Sequence, residues 1–444
     1  MKIRLLLVLC FILISGHIVF AGNPYLAYYS SETDNLLWFI QISDIHIGKS
    51  QNAADNLDWI VTDAADIISP SFIVATGDLT DSTNGGLFPN GPYLSEWQDY
   101  QQIISGVSSG FYYDVPGNHD HYNNSDFSYY LNYSVTGVAS DSSQASWVRT
   151  VNEKKYHFMA VNTAGNNGAP FSIVGPYYGD YAGLDQSELA YLESELDNHS
   201  DASMTMVFGH HLIDREGADT GLSHGRDAFV DLMDTYGVSL YGYGHSHETS
   251  EGFYAKDMTD GVFYFNTNDL AGSNIFRLYA IDCNGISAKE VSIGSWPVVL
   301  ITSPVDLNLG GGPNPYSYTI HESGTNPVRA LVFDRDPVGA VSFRLNSKGG
   351  WYPMVPDSTT PGLWVGEWDS ADFQEASHTL EVRAEGASVK IDSITIGTVL
   401  PDVNSGGHSQ VPPQEEQDGE TDGIDESEST PAPKGSSSCF VGSL

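Results

Sequence analysis

Five segments of this sequence constrain its fold more than any other feature, because in each of them an apolar run ends in a loop that carries Asp, Asn or His. These loops lie at residues 43–46, 77–78, 117–120, 209–211 and 244–247. The apolar runs before them have the length and composition of buried strands. Side chains just beyond the carboxyl ends of parallel strands meet at one edge of a sheet, so we expect the five loops to converge.

Strand-like runs alternate with helical patterns from residue 36 to about residue 293. A strand at 36–42, an amphipathic helix at 52–68 and a strand at 71–76 form a β-α-β unit, which implies parallel pairing. Capping-box patterns predict two further helix starts, at residues 95–98 and 185–188. Five more strands are expected at 111–115, 204–208, 238–243, 262–265 and 275–281. Residues 22–295 are therefore predicted to form an α/β domain.

The sequence changes character after Trp296. Short apolar runs separated by turn residues predict an Ig-like β-sandwich over residues 296–399, with strands at 298–302, 328–333, 341–345, 363–368, 379–382 and 389–396. Beyond it, residues 400–444 have little apolar content and carry eight acidic side chains between Glu415 and Glu428. We expect this acidic tail to be disordered.

The first 21 residues have the pattern of a secretory signal peptide, with a basic start, an apolar stretch from Leu5 to Ile14 and small residues before Gly22. The alternative is an uncleaved membrane anchor, but the apolar stretch is shorter than the ~20 residues that a bilayer needs. We expect an extracytoplasmic chain (secreted, periplasmic or at the cell surface) with no transmembrane helix after cleavage. Cleavage would leave Cys283 and Cys439, and the small residues before Cys439 could be a processing or lipidation signal.

The charge balance excludes some partners. The chain has 18 Lys and Arg against 57 Asp and Glu, which gives a net charge of −39. A field of that sign repels polyanions, so we expect no nucleic-acid-binding surface. A small anion can still be attracted locally by bound cations, because the wider acidic surface is screened beyond ~8 Å at physiological ionic strength.

The five loops supply imidazole, carboxylate and amide donors, a mixture that suits Zn, Mn or Fe better than Ca. Seven donors are too many for one tetrahedral ion with an open position, but they suit two divalent ions that share a carboxylate. Six other histidines have no metal-like neighbours in the sequence, and we expect none of them to bind metal: His17, His157, His199, His321, His378 and His408. The seven predicted metal ligands are Asp44, His46, Asp78, Asn118, His210, His245 and His247.

The motifs also resemble a known family. Ser-Asp-Ile-His at 43–46, Thr-Gly-Asp at 76–78, Pro-Gly-Asn-His-Asp at 116–120, Gly-His-His at 209–211 and Gly-His-Ser-His at 244–247 are similar, in order, to the signature of the calcineurin-like metallophosphoesterases. The resemblance covers about residues 36–293 and implies a two-sheet α/β/β/α sandwich with a dinuclear metal centre. It also implies how the ligands are shared: Asp44, His46 and His247 hold the first ion, Asn118, His210 and His245 hold the second, and Asp78 bridges them.

Departures from the pattern narrow the subclass. The related purple acid phosphatases have Tyr three places after the bridging carboxylate, where this chain has Asp81, so a Tyr-bound ferric ion is not expected. The motifs around Asp78 and Asn118 look closer to the bacterial cyclic-nucleotide phosphodiesterase branch. The order of signal peptide, phosphoesterase and β-domain also resembles transmembrane protein 62-like proteins.

His119 directly follows a predicted ligand, and we expect it to protonate the leaving-group oxygen or to stabilise its charge. Asp120 is expected to orient that imidazole and keep it protonated, and the alternative is an ordinary turn residue. His211 could contact substrate or cap its loop. His224 lies in a loop that could overhang the site or be simply solvated.

These features predict a secreted, dinuclear metal-dependent phosphoesterase that hydrolyses small phosphomonoesters or phosphodiesters by a metal-activated water. The rival is a surface interaction protein, in which an inactive phosphoesterase scaffold is stiffened by metal and the β-sandwich binds a cell-surface partner. A third possibility is an enzyme that acts on a sulfate or phosphonate ester, because a metal clamp recognises a tetrahedral anion rather than phosphorus itself.

Overall fold

The structure, a computed structural model, describes residues 36–84, 90–165, 182–213, 221–254, 262–309, 312–314, 316–317, 325–347, 349–370, 377–386 and 388–397. The predicted signal peptide at 1–21 and the predicted acidic tail at 400–444 lie outside these residues. Among the described helices, none combines the length and the apolar character needed to cross a bilayer.

Two central sheets are built from strands in the first part of the chain. In chain order these strands are β1 Leu37–Ile42, β2 Ile73–Thr76, β3 Tyr112–Val115, β4 Ala145–Val151, β5 Lys154–Ala160, β6 Met204–Phe208, β7 Leu240–Tyr243, β8 Ser250–Tyr254, β9 Val262–Asn266, β10 Ile275–Asp282 and β11 Gly285–Ser292. One sheet has the order β11-β10-β1-β2-β3, and the other has the order β4-β5-β6-β7-β9-β8. In the first sheet β1 to β3 run parallel, and in the second sheet β5, β6, β7 and β9 do.

Helices cover the outer faces of both sheets. In chain order they are α1 Gln51–Trp59, which a π-helical turn at Ile60–Ala64 joins to α2 Ala65–Ile68, then α3 Leu94–Ile104, α4 Asn118–His121, α5 Ser128–Tyr133, α6 Val135–Ser140, α7 Gln186–Asn198 and α8 Arg226–Thr235. Helices α1 and α3 pack on the first sheet in a core that contains Ile40, Leu57 and Trp97. Helices α7 and α8 pack on the second sheet through Leu192 and Phe229.

The two sheets face each other across an aromatic core. The ring of Phe39 in β1 lies 5.5 Å from that of Phe158 in β5 and 5.9 Å from that of Phe208 in β6. With helices outside and apolar side chains between the sheets, the predicted α/β/β/α sandwich is confirmed. The seven strands predicted for this region are all present, whereas β4, β5, β8 and β11 were not predicted.

The two capping-box predictions had different outcomes. At the start of α7, the main-chain N–H of Asp185 donates to Glu188 Oε2 at 2.9 Å, as the pattern predicted. At α3 the predicted helix is present but the predicted capping box is not, because the N-cap is Tyr93, two residues before Ser95, and no side chain caps the helix. Glu96, in the first turn of this helix, turns inward and accepts from the main-chain N–H of Ser82 at 2.8 Å.

A β-sandwich follows, and its six predicted strands are all present. The strands are β12 Val298–Ser303, β13 Asn308–Leu309, β14 Gly312–Pro313, β15 Thr325–Phe333, β16 Ala340–Leu345, β17 Tyr352–Pro353, β18 Val355–Pro356, β19 Leu363–Asp369, β20 Ser377–Glu385 and β21 Val389–Gly397. Two four-stranded antiparallel sheets, β12-β15-β19-β18 and β17-β16-β20-β21, enclose a core that contains Val328, Phe343 and Leu380.

The sandwich packs directly on the α/β region. Arg329 in β15 forms a buried ion pair with Asp282 at the end of β10, with 2.9 Å between Nη1 and Oδ1. The indole of Trp296 lies 5.6 Å from that of Trp59 on α1. The division into independent domains at 295/296 stays a prediction, and these contacts identify the groups that such a division would separate.

Candidate metal centre

The carboxyl ends of five strands deliver the predicted ligands to one place. Overlapping groups of their side chains have ligand atoms within 4.8 Å of one another. Every predicted ligand lies within four residues of a strand end: Asp44 and His46 after β1, Asp78 after β2, Asn118 after β3, His210 after β6, and His245 and His247 after β7. The convergence expected from the strand pattern is therefore present in the fold.

One subset of ligands surrounds Asp44. Its Oδ1 lies 3.1 Å from Nε2 of His247 and 3.9 Å from Nε2 of His46. The two imidazole nitrogens are 3.1 Å apart. These are the three residues that the family resemblance assigns to one ion.

A second subset surrounds His210. Its Nε2 lies 3.1 Å from Oδ1 of Asn118 and 3.2 Å from Nδ1 of His245. Asp78 stands between the subsets, with Oδ1 3.4 Å from Nε2 of His210 and Oδ2 3.8 Å from Nε2 of His46. Each carboxylate oxygen of Asp78 thus faces a different subset, which is the geometry that a bridging ligand requires.

The hydrogen bonds around the second subset leave acceptor atoms pointing at one another. Nδ1 of His210 is 2.7 Å from the carbonyl oxygen of Thr76 and donates to it, so Nε2 presents a lone pair in the neutral ring. The amide nitrogen of Asn118 donates to Tyr122 Oη at 2.9 Å, so its Oδ1 faces Nε2 of His210. Such a set is stable only with a cation or a proton at its centre. The donor chemistry fits borderline divalent ions.

Electrostatics agree with this fit. Burial opposes a charged imidazole at His210, yet the carboxylates of Asp78 and Asp44 raise its pKa to about 9. A proton therefore occupies the centre when no metal does. Burial, with repulsion from neighbouring imidazoles, lowers the pKa of His245 to about 3, which keeps its ring neutral. The site therefore attracts a cation, and the imidazole of His245 is held in the neutral form that binds metal.

The backbone of the site is strained. Asp44, His46, Asp78, His245 and His247 have φ angles of 52°, 49°, 49°, 70° and 54°, all in the left-handed region. That conformation costs an L-residue about 1–2 kcal/mol. Five such residues among seven predicted ligands are evidence of a built site, because strain of this kind persists where function requires it.

Main-chain contacts lock the loops together. Thr163 Oγ1 accepts from the main-chain N–H groups of both His210 and His211 at 3.0 Å. Close approach also requires glycine at Gly244, where a Cβ would lie 1.8 Å from Ser43 Oγ. The positions of the predicted ligands are therefore fixed by neighbouring backbone as well as by their own strands.

His119 and Asp120 do not contact each other as we expected. Nδ1 of His119 lies 2.5 Å from the carbonyl oxygen of Asp81, and its Nε2 lies 3.9 Å from Asp78 Oδ2. The buried carboxylate of Asp120 instead accepts main-chain N–H groups at 2.9–3.0 Å, because the first turn of α4 directs it back toward the two loops that precede it. The donors are Gly117, Leu79 and Thr80.

Three further residues bear on the site. Asp81 lies with Oδ1 3.5 Å from Nδ1 of His46, a contact that sequence reasoning missed and that no local pattern signals. His211 is buried, with Nδ1 3.1 Å from Thr163 Oγ1 and its ring 4.6 Å from that of His245. The Nε2 of His224 lies 3.3 Å from Asp185 Oδ1, at the start of α7.

Comparison with known proteins gives a match over the part of the chain that carries the five motifs. Residues 37–249 match the family model described as calcineurin-like phosphoesterase. The family resemblance seen in the five motifs is thereby confirmed over that part of the sequence.

Relatives extend the likeness beyond those residues. Transmembrane protein 62 of Mus musculus is 27% identical over 374 residues, which are 81% of this chain and 54% of that protein. An Arabidopsis thaliana protein whose name places it among the metallophosphoesterases is 25% identical over 278 residues, 59% of this chain and 36% of that protein. The chain thus spans about half or less of these curated relatives. Among solved structures, a dimetal phosphatase from Danio rerio aligns with a TM-score of 0.44 at 14% identity, over 58% of this chain and 97% of that chain.

Proposed function

We propose that this protein is a dinuclear metal-dependent phosphoesterase that hydrolyses small phosphomonoesters or phosphodiesters outside the cytoplasm. The observation that carries the proposal is the position of Asp78, with one carboxylate oxygen 3.4 Å from Nε2 of His210 and the other 3.8 Å from Nε2 of His46. One ion is assigned to Asp44, His46 and His247. The second is assigned to Asn118, His210 and His245, with Asp78 common to both.

Two divalent ions, when bound, would polarise a phosphoryl oxygen and lower the pKa of a coordinated water. The chain itself contributes preorganisation. The ligands Asp44, His46, Asp78 and His210 are each no more than 2% exposed, and strained backbone holds three of them in place. Because these groups are already in position, they do not have to reorganise as charge develops on the substrate.

We assign to His119 the transfer of a proton to the leaving-group oxygen. The ring is half-buried at the edge of the cluster, so a bound ester can reach it from the solvent side. Because Nδ1 donates to the carbonyl of Asp81, Nε2 is the nitrogen that faces Asp78 and the assigned substrate position. We assign Asp120 a positioning role, since its carboxylate fastens the turn after Asp78 to the turn before Asn118.

The charge of the whole chain supports a small substrate. With a net charge of −39, an extended polyanion would lie across a repulsive surface. A small ester would interact mainly with the cations, since the acidic surface is screened beyond ~8 Å. The signal-peptide pattern at residues 1–21 supports an extracytoplasmic location.

The proposal is tested by metal content and activity together. Full-length protein reconstituted with Mn, Zn or Fe should contain at least two ions and should hydrolyse members of a panel of aryl phosphates, nucleotides and cyclic nucleotides. Asp78→Asn should lower the affinity for both ions and abolish turnover, and Asp58→Asn, on an exposed face of α1, is the matched control. Two or more ions without hydrolysis of any phosphoester would favour the interaction protein, and hydrolysis confined to sulfate or phosphonate esters would favour the third hypothesis. One ion or none would refute the dinuclear centre.

A further inference from the structure

A separate cluster of metal-binding side chains lies on the second sheet, away from the dinuclear centre. His157 in β5 lies beside Glu195 and His199 at the end of α7, and ligand atoms of the three are within 4.8 Å of one another. His157 pairs with Thr205 of β6, and His210 follows Thr205 by five residues, which is roughly 16 Å at ~3.3 Å per residue. The expectation that His157 and His199 have no metal-binding neighbours is therefore wrong, because helix packing brings together residues that are distant in sequence.

The hydrogen bonds of His157 leave one nitrogen available. Nε2 lies 3.0 Å from Ser146 Oγ on β4. Nδ1 is buried and has no hydrogen-bond partner within the described residues. The ring is 0% exposed and lies 4.4 Å, centroid to centroid, from the ring of His199. A buried nitrogen without a partner is costly unless something binds it, and metal-binding imidazoles commonly donate their other nitrogen to a neighbour as His157 can to Ser146.

The end of α7 adds negative charge to the cluster. The last turn of this helix carries Glu195 and Asp197 and has no basic residue. The free carbonyl groups at the C-terminal end of a helix give it a negative potential, so this end normally favours cations. His199, the C-cap residue, lies with Nε2 3.8 Å from Glu195 Oε2. A divalent cation would compensate the negative potential of this helix end, whose last turn has no basic residue.

We propose that His157, Glu195 and His199 form a third metal site, which binds one zinc-like divalent ion and fastens the end of α7 to β5. Two imidazoles and a carboxylate are a ligand set that zinc accepts, with water completing the tetrahedron. Zinc bonds of ~2.0–2.1 Å place tetrahedral ligands roughly 3.4 Å apart. Glu195 and His199 are half-exposed, so rotation of their side chains can close the remaining gap without moving the strand.

The test is zinc stoichiometry in the full-length protein. Equilibrium dialysis against buffered zinc should give three sites in the wild type. The third should be lost in His199→Ala and in Glu195→Gln at the zinc concentration that fills it in the wild type, while two ions remain. Since both altered side chains are half-exposed and Gln matches Glu in shape, neither change threatens folding. His224→Ala is the matched control, because His224 is a half-exposed imidazole that also faces a carboxylate at a helix end, Asp185, and it should keep all three ions.

Thermal unfolding provides a second measurement that does not depend on activity. Zinc added beyond two equivalents should raise the Tm of the wild type and of His224→Ala, since an ion that binds only the folded chain stabilises it. It should leave the Tm of His199→Ala and Glu195→Gln unchanged. Two zinc ions in the wild type, or an unaltered third site in either cluster variant, would overturn the proposal whether or not the dinuclear centre hydrolyses phosphoesters.

Discussion

The main-chain carbonyl oxygen of Asp81 lies 2.5 Å from Nδ1 of His119. The side chain of the same residue faces a different imidazole, with Oδ1 3.5 Å from Nδ1 of His46. One residue therefore orients the proposed proton donor through its backbone and a proposed metal ligand through its carboxylate. Because only the second contact depends on the side chain, substitution at Asp81 separates the two functions.

We expect Asp81→Asn to weaken metal binding more than catalysis. A neutral amide is a poorer partner for the imidazole of His46, and loss of such an outer partner typically reduces metal affinity ~10–100-fold. The kcat at saturating metal should stay close to that of the wild type, since the carbonyl that orients His119 remains. Equilibrium dialysis and metal-titrated kinetics measure the two effects, and a large fall in kcat at saturating metal would contradict this division.

Removal of the proposed proton donor should lower kcat and leave metal binding unchanged, the reverse of the effect expected for Asp81→Asn. His119→Ala should lower kcat by ~10²–10⁴, the usual range for positioned proton transfer, and should retain both ions. The loss should be smaller for nitrophenyl esters, whose leaving group needs no proton, than for alkyl esters. Equal losses across a series of leaving groups would exclude proton transfer and leave electrostatic stabilisation as the role of this imidazole.

Asp120 provides a contrast, because its carboxylate accepts three main-chain N–H groups from the loops that carry Asp78 and Asn118. Asp120→Ala leaves those buried donors unpaired, at about 1–3 kcal/mol for each. We expect lower stability in urea unfolding and reduced affinity for both ions. If Asp120 instead tuned the proton on His119, Asp120→Asn would shift the pH profile of kcat and leave metal content unchanged.

The outcomes for particular residues show what a sequence can predict here. Asp44 and His210 were predictable, because each follows a strand whose apolar run is visible and whose carboxyl end must face the same edge of a sheet. The partner of Asp120 was not, since the direction of its side chain depends on one short turn of helix. His157 and His199 are 42 positions apart in sequence and meet only because α7 packs on β5. Local patterns place strand ends well and place contacts between separate elements poorly.

Glu96 should make stability depend on pH. It is 3% exposed, and burial raises its pKa to about 7, although the N–H of Ser82 that it accepts opposes the rise. The folded chain therefore holds this proton more tightly than the unfolded chain, so the contribution to stability falls as pH rises from about 4.5 to about 7. Gln accepts the same N–H without ionising.

The comparison between wild type and Glu96→Gln isolates this effect. The free energy of unfolding of Glu96→Gln, measured in urea, should approach that of the wild type near pH 4.5 and exceed it increasingly up to pH 7. Above pH 7 the difference should stay constant. A difference that does not change across this pH range would show that Glu96 is ionised in the folded protein throughout, contrary to its buried position.

The ion pair between Arg329 and Asp282 should couple the β-sandwich to the α/β region. Both side chains are 1% exposed, and Thr302 Oγ1 also donates to Asp282 Oδ2 at 2.9 Å. Arg329→Met should destabilise the protein by ~3–5 kcal/mol, because it leaves a buried carboxylate without its counter-charge. The double variant Asp282→Asn/Arg329→Met should recover most of that loss, since neither charge remains.

Urea unfolding of the full-length protein measures these effects and also tests whether residues 22–295 and 296–399 behave as independent domains. Coupling predicts one cooperative transition. Its midpoint should move to a lower urea concentration in Arg329→Met and return toward the wild-type midpoint in the double variant. Independent domains predict two transitions, with Arg329→Met shifting neither by more than an exposed substitution would. Under coupling, a chain that ends at residue 295 should be destabilised as Arg329→Met is, because its Asp282 has lost the same partner and the apolar surface around Trp59 has lost Trp296.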